Sequence, residues 1–404
     1  MNRSQLLFWT GLVLVSVNLR PAAVSVGPVL EEVRDGLGLS DAQAALLTSL
    51  PVLAFALVGA LASAAAARAG LHRVTLLALV AVTAGLLLRA LTGDPLAFLA
   101  LSFLAVSGAA VANVLLPSLV KRHQPDRIGE ATSVYSTVLA VGLTAALVLT
   151  VPLSRLLGGS VDEGWRWGLG IWTVLAAAAL VPWLLMSRHD RVAQEEGPRV
   201  AFWAVARTPL GIALAAYFGL QSLQAYAIFG WFAQLWRDNG YSAGTAGLLV
   251  GLLTGVTIPL SYVLPRVLVA SPRPAVVLLA VVACYPVAYV GLLVAPASLA
   301  VLWALLTGAG TTTFPLILTL IGLRARTAEG TATLSAFTQS AGYLLAVVGP
   351  FVVGLLYAAT DAWTLPLLFL LVLVAPLAWL SVVLARPAHV EDQLRDRAPS
   401  PQHG

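Results

Sequence analysis

Windows of about 20 apolar residues, each long enough to cross a bilayer as a helix, recur in this chain from one end to the other. They leave little room for anything else. Of 404 residues, 59% are hydrophobic and only 10% are charged, where a soluble domain carries about 25% charge to cover its surface. So many long apolar runs cannot share one buried core. Lipid can solvate them all, and in lipid the backbone must satisfy its own hydrogen bonds, which favours helices for runs of this length. The fold class that follows is an all-α membrane protein.

Twelve spans are predicted, at 5–30, 42–67, 72–93, 95–120, 128–155, 165–187, 208–236, 243–268, 273–294, 297–323, 329–358 and 362–386. Short turns carrying Gly, Pro or Asp separate most of them. Met1-Asn2-Arg3-Ser4 leads into the first apolar run with no small-residue cleavage site in the expected place, so that run reads as a retained helix. Charge sorts by side. Of the 23 Lys and Arg residues, 17 fall on the side of the termini (Arg68, Arg73, Lys121, Arg122 and Arg127 among them), 5 fall opposite (Arg34, Arg89, Arg155, Arg166, Arg237), and Arg20 lies within a span. The positive-inside rule then places both termini in the cytoplasm of a multi-pass inner (cytoplasmic) membrane protein. The net charge of +5 thus serves orientation, and nucleic acid is not an expected partner.

The longest polar interruption separates the sixth and seventh spans. It divides the chain into a six-helix bundle over 1–187, a cytoplasmic linker over 188–207, a second six-helix bundle over 208–386 and a tail over 387–404 expected to be disordered. The halves echo each other. Gly38-Leu39-Ser40 matches Gly240-Tyr241-Ser242, Gly108-Ala109-Ala110 matches Gly308-Ala309-Gly310, and Pro117 matches Pro315. Gly129-Glu130-Ala131-Thr132 matches Gly330-Thr331-Ala332-Thr333, Pro152 matches Pro350, and Trp165 matches Trp363, all in one order at offsets of 198 to 202. Two pseudo-symmetric bundles of six helices, each in the same orientation, are the plan of transporters that rock two halves about a central site. Gly247, Gly251 and Gly255, four apart, read as a face where another helix packs closely.

Asn18-Leu19-Arg20-Pro21, Val26-Gly27-Pro28-Val29-Leu30, Gly38-Leu39-Ser40 and Leu47-Thr48-Ser49-Leu50-Pro51 carry a resemblance to the major facilitator superfamily that extends over nearly the whole chain. Within it, the chain resembles the subgroup of cyanate and 2-nitroimidazole transporters. The resemblance implies the major facilitator fold and alternating access, and it gives Arg20 a place in the shared signature. Of the superfamily's loop motif between the second and third helices, Arg68, Gly70 and Arg73 are kept, while the acidic position falls near Ala67. The fifth-span Gly-Pro motif of drug–proton antiporters is replaced by Thr150-Val151-Pro152-Leu153, which disfavours drug efflux.

Arg20 is the residue with the clearest chemistry. Fifteen residues into the first span, it lies about 22 Å deep at about 1.5 Å per residue, where a guanidinium costs on the order of 3 kcal/mol unless something solvates it. Its planar fork suits a small anion, and Pro21 frees a carbonyl near Val17. The competing reading is that Arg20 ties neighbouring helices together. The repeat offset carries Arg20 to Ser222, flanked by Gln221 and Gln224 on one helix face, with Tyr226 nearby. Asn18, Asn113, Tyr135, Thr312, Gln339 and Tyr343 complete a neutral polar rim, each equally open to a role in interhelical hydrogen bonding. No Asp or Glu lies deep in a predicted span, and Glu130, near the end of the fifth, is the candidate for proton coupling. Arg89 and Asp94 are expected to pair at the outer end of the third span.

The single cysteine, Cys284, excludes an internal disulfide, and of the five histidines only His72 touches a predicted span, as the first residue of 72–93. No metal, cofactor or catalytic constellation is expected, so the chain reads as no enzyme. The function that follows is secondary active transport of a small anionic or polar solute around Arg20, by a monomer in the lipid bilayer. An exporter of drugs or metabolites with the same fold is the alternative, and a receptor is a more distant one.

Overall fold

The computed structural model describes residues 3–188 and 201–395. Twelve of its helices are long and apolar enough to cross a membrane: Gln5–Leu37, Leu46–Ala69, Leu71–Leu91, Pro95–His123, Pro125–Gly158, Glu163–Ser187, Pro209–Asp238, Thr245–Ala270, Pro274–Val294, Ala300–Leu323, Ala328–Thr360 and Thr364–Ala385. No strand occurs among the described residues.

Two compact units result. One comprises Met1–Leu116, Ser133–Gln194 and Thr254–Val263; the other comprises Pro117–Thr132, Glu195–Leu253 and Leu264–Gly404. Of the linker expected over 188–207, residues 189–200 lie outside the described residues, and Phe202–Val205 forms a short helical turn that sets Phe202 edge-on against Phe337 at 5.5 Å. Part of the tail departs from the expected disorder. Val390–Arg395 is a helix packed into the second unit, because its side chains supply acceptors to bare helix starts; residues 396–404 lie outside the described residues.

The repeat has a physical content in each unit. Gly38 adopts φ 64° and Gly240 φ 91°, a left-handed conformation that ends the preceding helix and that side chains other than glycine's strain to reach. Two residues on, a serine starts the next helix. Ser40 Oγ accepts from Gln43 N (3.3 Å), and Gln43 Oε1 accepts from Ser40 N (2.9 Å). Ser242 Oγ accepts from Thr245 N at 3.1 Å. The Gly-x-Ser motif is thus a helix stop followed by a helix start. The matched tryptophans behave alike. A Cβ added at Gly36 would meet Trp165 Nε1 at 2.9 Å, and Trp363 Nε1 donates to Asp238 Oδ2 at 2.9 Å, 202 positions along.

A further equivalence appears where two spans of each half cross. A Cβ at Gly142, on the fifth span, would lie 2.5 Å from Val17 O of the first. A Cβ at Gly342, on the eleventh, would lie 2.6 Å from Phe218 Cδ1 and 3.0 Å from Gly219 N of the seventh. The expected packing face at Gly247, Gly251 and Gly255 is not observed: a Cβ at any of the three would meet no atom within 4 Å. Spacing alone does not separate a contact ridge from an open one.

These contacts predict opposite responses to one chemical change. Gly142→Ala pushes a methyl into a backbone carbonyl and should cost about 1–3 kcal/mol. Gly247→Ala enters open space and should gain up to about 1 kcal/mol from helix propensity. Thermal unfolding of the two purified variants checks this; equal midpoints would contradict it.

Candidate functional site

The first span determines the local geometry. It runs as a helix over Arg3–Val24 with Pro21 inside, turns at Ser25 and Val26, passes through a single 3-10 turn at Gly27–Val29, and resumes as Leu30–Leu37. Pro28 has no N–H to continue the first helix, which accounts for the break. The resumed helix buries Val33 and Leu37 against Phe98 and Trp165 and turns Glu31, Arg34 and Asp35 outward. Pro21 also withholds a hydrogen bond from Val17 O, four residues back. Gly142 packs directly against that freed oxygen, so the loosened carbonyl is where the fifth span makes its close approach.

Arg20 lies between these features and is partly exposed, while its neighbours Asn18, Leu19, Pro21 and Ala22 are buried. Asn18 Nδ2 donates to Leu14 O (2.7 Å) and across to Leu175 O of the sixth span (2.9 Å), and its buried Oδ1 has no hydrogen-bond partner. Asn113 and Tyr135 are fully buried in the same unit.

Arg89 corrects an expectation. It does not pair with Asp94 but turns inward, 1% exposed, donating from Nη2 to Ser25 Oγ (2.9 Å) and from Nη1 to Ala22 O (3.4 Å). Asp94 instead caps the fourth span, its Oδ1 accepting from Ala97 N at 2.7 Å. The reason is the break in the first span. Ala22 is among the last residues before it, where helix carbonyls lack partners and the helix dipole favours a cation. Arg89 therefore secures the segment that carries Arg20, a role the sequence pattern does not reveal. One signal points to it: Arg89 lies inside the helix Leu71–Leu91, before the Thr92-Gly93-Asp94 turn.

In the second unit, Gln224 is committed to structure. Its Nε2 donates to Leu370 O (2.8 Å) and its Oε1 accepts from Tyr289 Oη (2.6 Å), joining the seventh, ninth and twelfth spans. Gln221 Nε2 donates to Ser222 Oγ at 2.6 Å, leaving its buried Oε1 without a hydrogen-bond partner. Tyr226 is half-buried and lies 6.3 Å from Tyr343, which meets Phe218 edge-on at 5.0 Å. Gln339 Nε2 donates to Ser335 Oγ at 2.8 Å, and Thr312 Oγ1 bonds back to Ala309 O. The structure thus gathers Tyr226 and Tyr343 and holds Gln339 and Thr312 on their own helices. Glu130 sits half-exposed at the start of the fifth span, paired with Arg127 Nη2 at 2.6 Å. No group of three or more His, Cys, Asp or Glu suited to a metal occurs among the described residues.

The sequence profile of the Major Facilitator Superfamily matches residues 12–350. The chain belongs to this superfamily. It is 34% identical over 370 residues to the 2-nitroimidazole transporter of Escherichia coli, covering 91% of this chain and 92% of that one. It is 34% identical to the uncharacterized transporter YycB of Bacillus subtilis (90% of each chain) and 28% identical to the cyanate transport protein CynX of E. coli (85% and 88%). The fold matches the proton:xylose symporter XylE with a TM-score of 0.76 at 12% identity, covering 97% and 98% of the two chains. It also matches the E. coli fucose:proton symporter FucP with a TM-score of 0.74 at 14% identity (95% and 100%). This member of the superfamily is therefore a multi-pass membrane transporter.

The Arg89 clamp can be tested by removing its acceptor. Ser25→Ala leaves a buried guanidinium nitrogen unsatisfied and should destabilise the protein by about 1–3 kcal/mol. A thermal midpoint equal to that of the wild type would show that the bond is dispensable.

Proposed function

We propose that this transporter carries a small anionic or compact polar solute across the cytoplasmic membrane by secondary active transport, with Arg20 as its anchor. The observation that carries the reading is Arg20 itself: a partly exposed arginine among buried neighbours, one residue before the proline that loosens its helix. The relatives support the substrate class. Two of them are named for cyanate and 2-nitroimidazole, and an anion or a nitro group offers oxygen or nitrogen acceptors to a planar fork of N–H donors. Alternating access of the two helix bundles, with both termini cytoplasmic, would present Arg20 to each side in turn. The rim is assigned to Asn18, Asn113, Tyr135, Gln221, Tyr226, Thr312, Gln339 and Tyr343, and Gln224 supports the rim through the helices it joins.

Coupling to protons is part of the proposal, since the two structural neighbours are named proton symporters. Glu130 is assigned as the carboxylate that takes the proton. Proteoliposome uptake of labelled cyanate and of 2-nitroimidazole tests both assignments. Arg20→Ala should lower the initial rate about tenfold or more, as loss of a charge-assisted hydrogen-bonded contact implies, and uptake at the wild-type rate would refute the anchor. Glu130→Gln should leave uptake indifferent to an imposed pH gradient, whereas a wild-type response would remove Glu130 from the mechanism.

A further inference from the structure

The seventh span ends on Asp238 and the eleventh on Thr360, and a group of aromatic residues joins these two ends. Asp238 accepts three hydrogen bonds, Oδ2 from Tyr357 Oη (2.7 Å) and Trp363 Nε1 (2.9 Å) and Oδ1 from Gln234 Nε2 (2.6 Å). The rings of Tyr357 and Trp363 lie 4.5 Å apart, and Trp231 stands 6.3 Å from each. Trp231 is itself fixed. Its Nε1 donates to Pro350 O (2.9 Å), and Gly354 makes room for its ring, since a Cβ there would lie 2.7 Å from Trp231 Cζ2. The three rings are half-buried, the carboxylate is exposed, and all of these residues fall in one compact unit.

The internal repeat shows what this cluster lacks. The counterpart of Trp363 in the first unit is Trp165, 198 positions earlier. There the next residue, Arg166, holds its guanidinium 4.3 Å from the Trp165 ring centroid and donates to Ala90 O (3.3 Å) and to Thr92 O. The residue after Trp363 is Thr364, and among the described residues no cation of the chain lies over the Trp363 ring. The acid is distributed the other way. Gly36 packs against Trp165, and 202 positions on from Gly36 stands Asp238. One unit gives its tryptophan a cation; the other gives it a carboxylate whose three donors are all neutral. The exposed Arg237 acts on Asp238 only through space, as the exposed Asp361 acts on Tyr357. An ionised carboxylate has about four lone-pair sites, so Asp238 can accept once more. On adjoining turns of the same spans, Phe351 and Leu355 of the eleventh and Leu365 and Leu368 of the twelfth are exposed. Aromatic rings at the ends of apolar spans belong to the level of lipid headgroups.

We propose that this cluster binds the headgroup of a phospholipid that carries a primary ammonium. The ammonium donates to Asp238 and rests against Trp363 and Tyr357, as cations do on aromatic rings. The phosphate of the same headgroup meets Arg237, and the acyl chains run along the exposed apolar side chains. It is this apolar continuation that favours a lipid over a soluble amine. The site is independent of what Arg20 binds.

Native mass spectrometry of the full-length protein, titrated with dioleoyl phosphatidylethanolamine or dioleoyl phosphatidylglycerol, tests this without a transport substrate. The wild type should bind the ethanolamine lipid more tightly. Asp238→Asn keeps an oxygen for Tyr357 and Trp363, and Gln234 can turn its amide to match, but the charge is gone. It should weaken the ethanolamine lipid about fivefold, within the range for a partly exposed cation on an aromatic ring, and leave the glycerol lipid unchanged. Thr364→Arg, at an exposed position, gives the second unit the cation that the first already holds and should weaken the ethanolamine lipid by a similar factor. A wild type that binds the two lipids equally, or an ethanolamine preference that survives Thr364→Arg, would overturn the site. Displacement of the lipid by an equimolar amount of glycerophosphoethanolamine would overturn the lipid assignment in favour of a soluble amine. If Asp238→Asn does not fold, Thr364→Arg decides the matter alone.

Discussion

In a bilayer, a proline inside a helix strands a carbonyl that water does not reach, and the first unit is arranged around one such carbonyl. Pro21 deprives Val17 O of its donor, and Gly142 fills the space, turning the hydrogen in place of its missing Cβ toward that oxygen, a weak Cα–H contact of a recurring kind. A few residues on, the helix stops altogether, and Arg89 reaches from the third span to Ala22 O and Ser25 Oγ. Arg20 sits between the two repairs. Arg20 is thereby carried on the last turns of the helix Arg3–Val24, braced on both sides.

The second unit repeats the crossing without the charge. Gly342 approaches the seventh span where Gly142 approaches the first, but that helix has no proline beyond its first turn, and its polar residues near the crossing are neutral amides and hydroxyls. Gln224 is bonded at both ends of its amide to other helices. The halves therefore share a scaffold and differ in the groups they present. One holds a guanidinium; the other supplies hydrogen-bonding groups and an aromatic cluster at Phe218, Tyr226 and Tyr343.

Features repeated every few residues, or at half the chain length, are legible in the amino-acid sequence. The twelve spans follow from apolar run length. The Gly38-Leu39-Ser40 and Gly240-Tyr241-Ser242 matches correspond to a left-handed stop and a serine cap. What is not legible depends on where a long side chain turns. Arg89 counts in a sequence as an outer charge, and its inward direction follows only from the broken helix end beside it. Glu391 sits in a polar tail whose composition suggests disorder, and its helix forms because distant backbone donors at Arg326, Thr327 and Leu210 need acceptors. The glycine series at 247, 251 and 255 shows the converse, a regular spacing with open space before it.

The central claim is that the guanidinium of Arg20 recognises a negatively polarised solute. The most direct measurement is equilibrium binding, read as a thermal shift of purified protein against a panel of small anions and nitroaromatic compounds, with wild type and Arg20→Ala side by side. The account predicts that at least one compound raises the midpoint of the wild type and that Arg20→Ala, folded and otherwise normal, loses that response. A compound that stabilises both proteins equally would contradict the account.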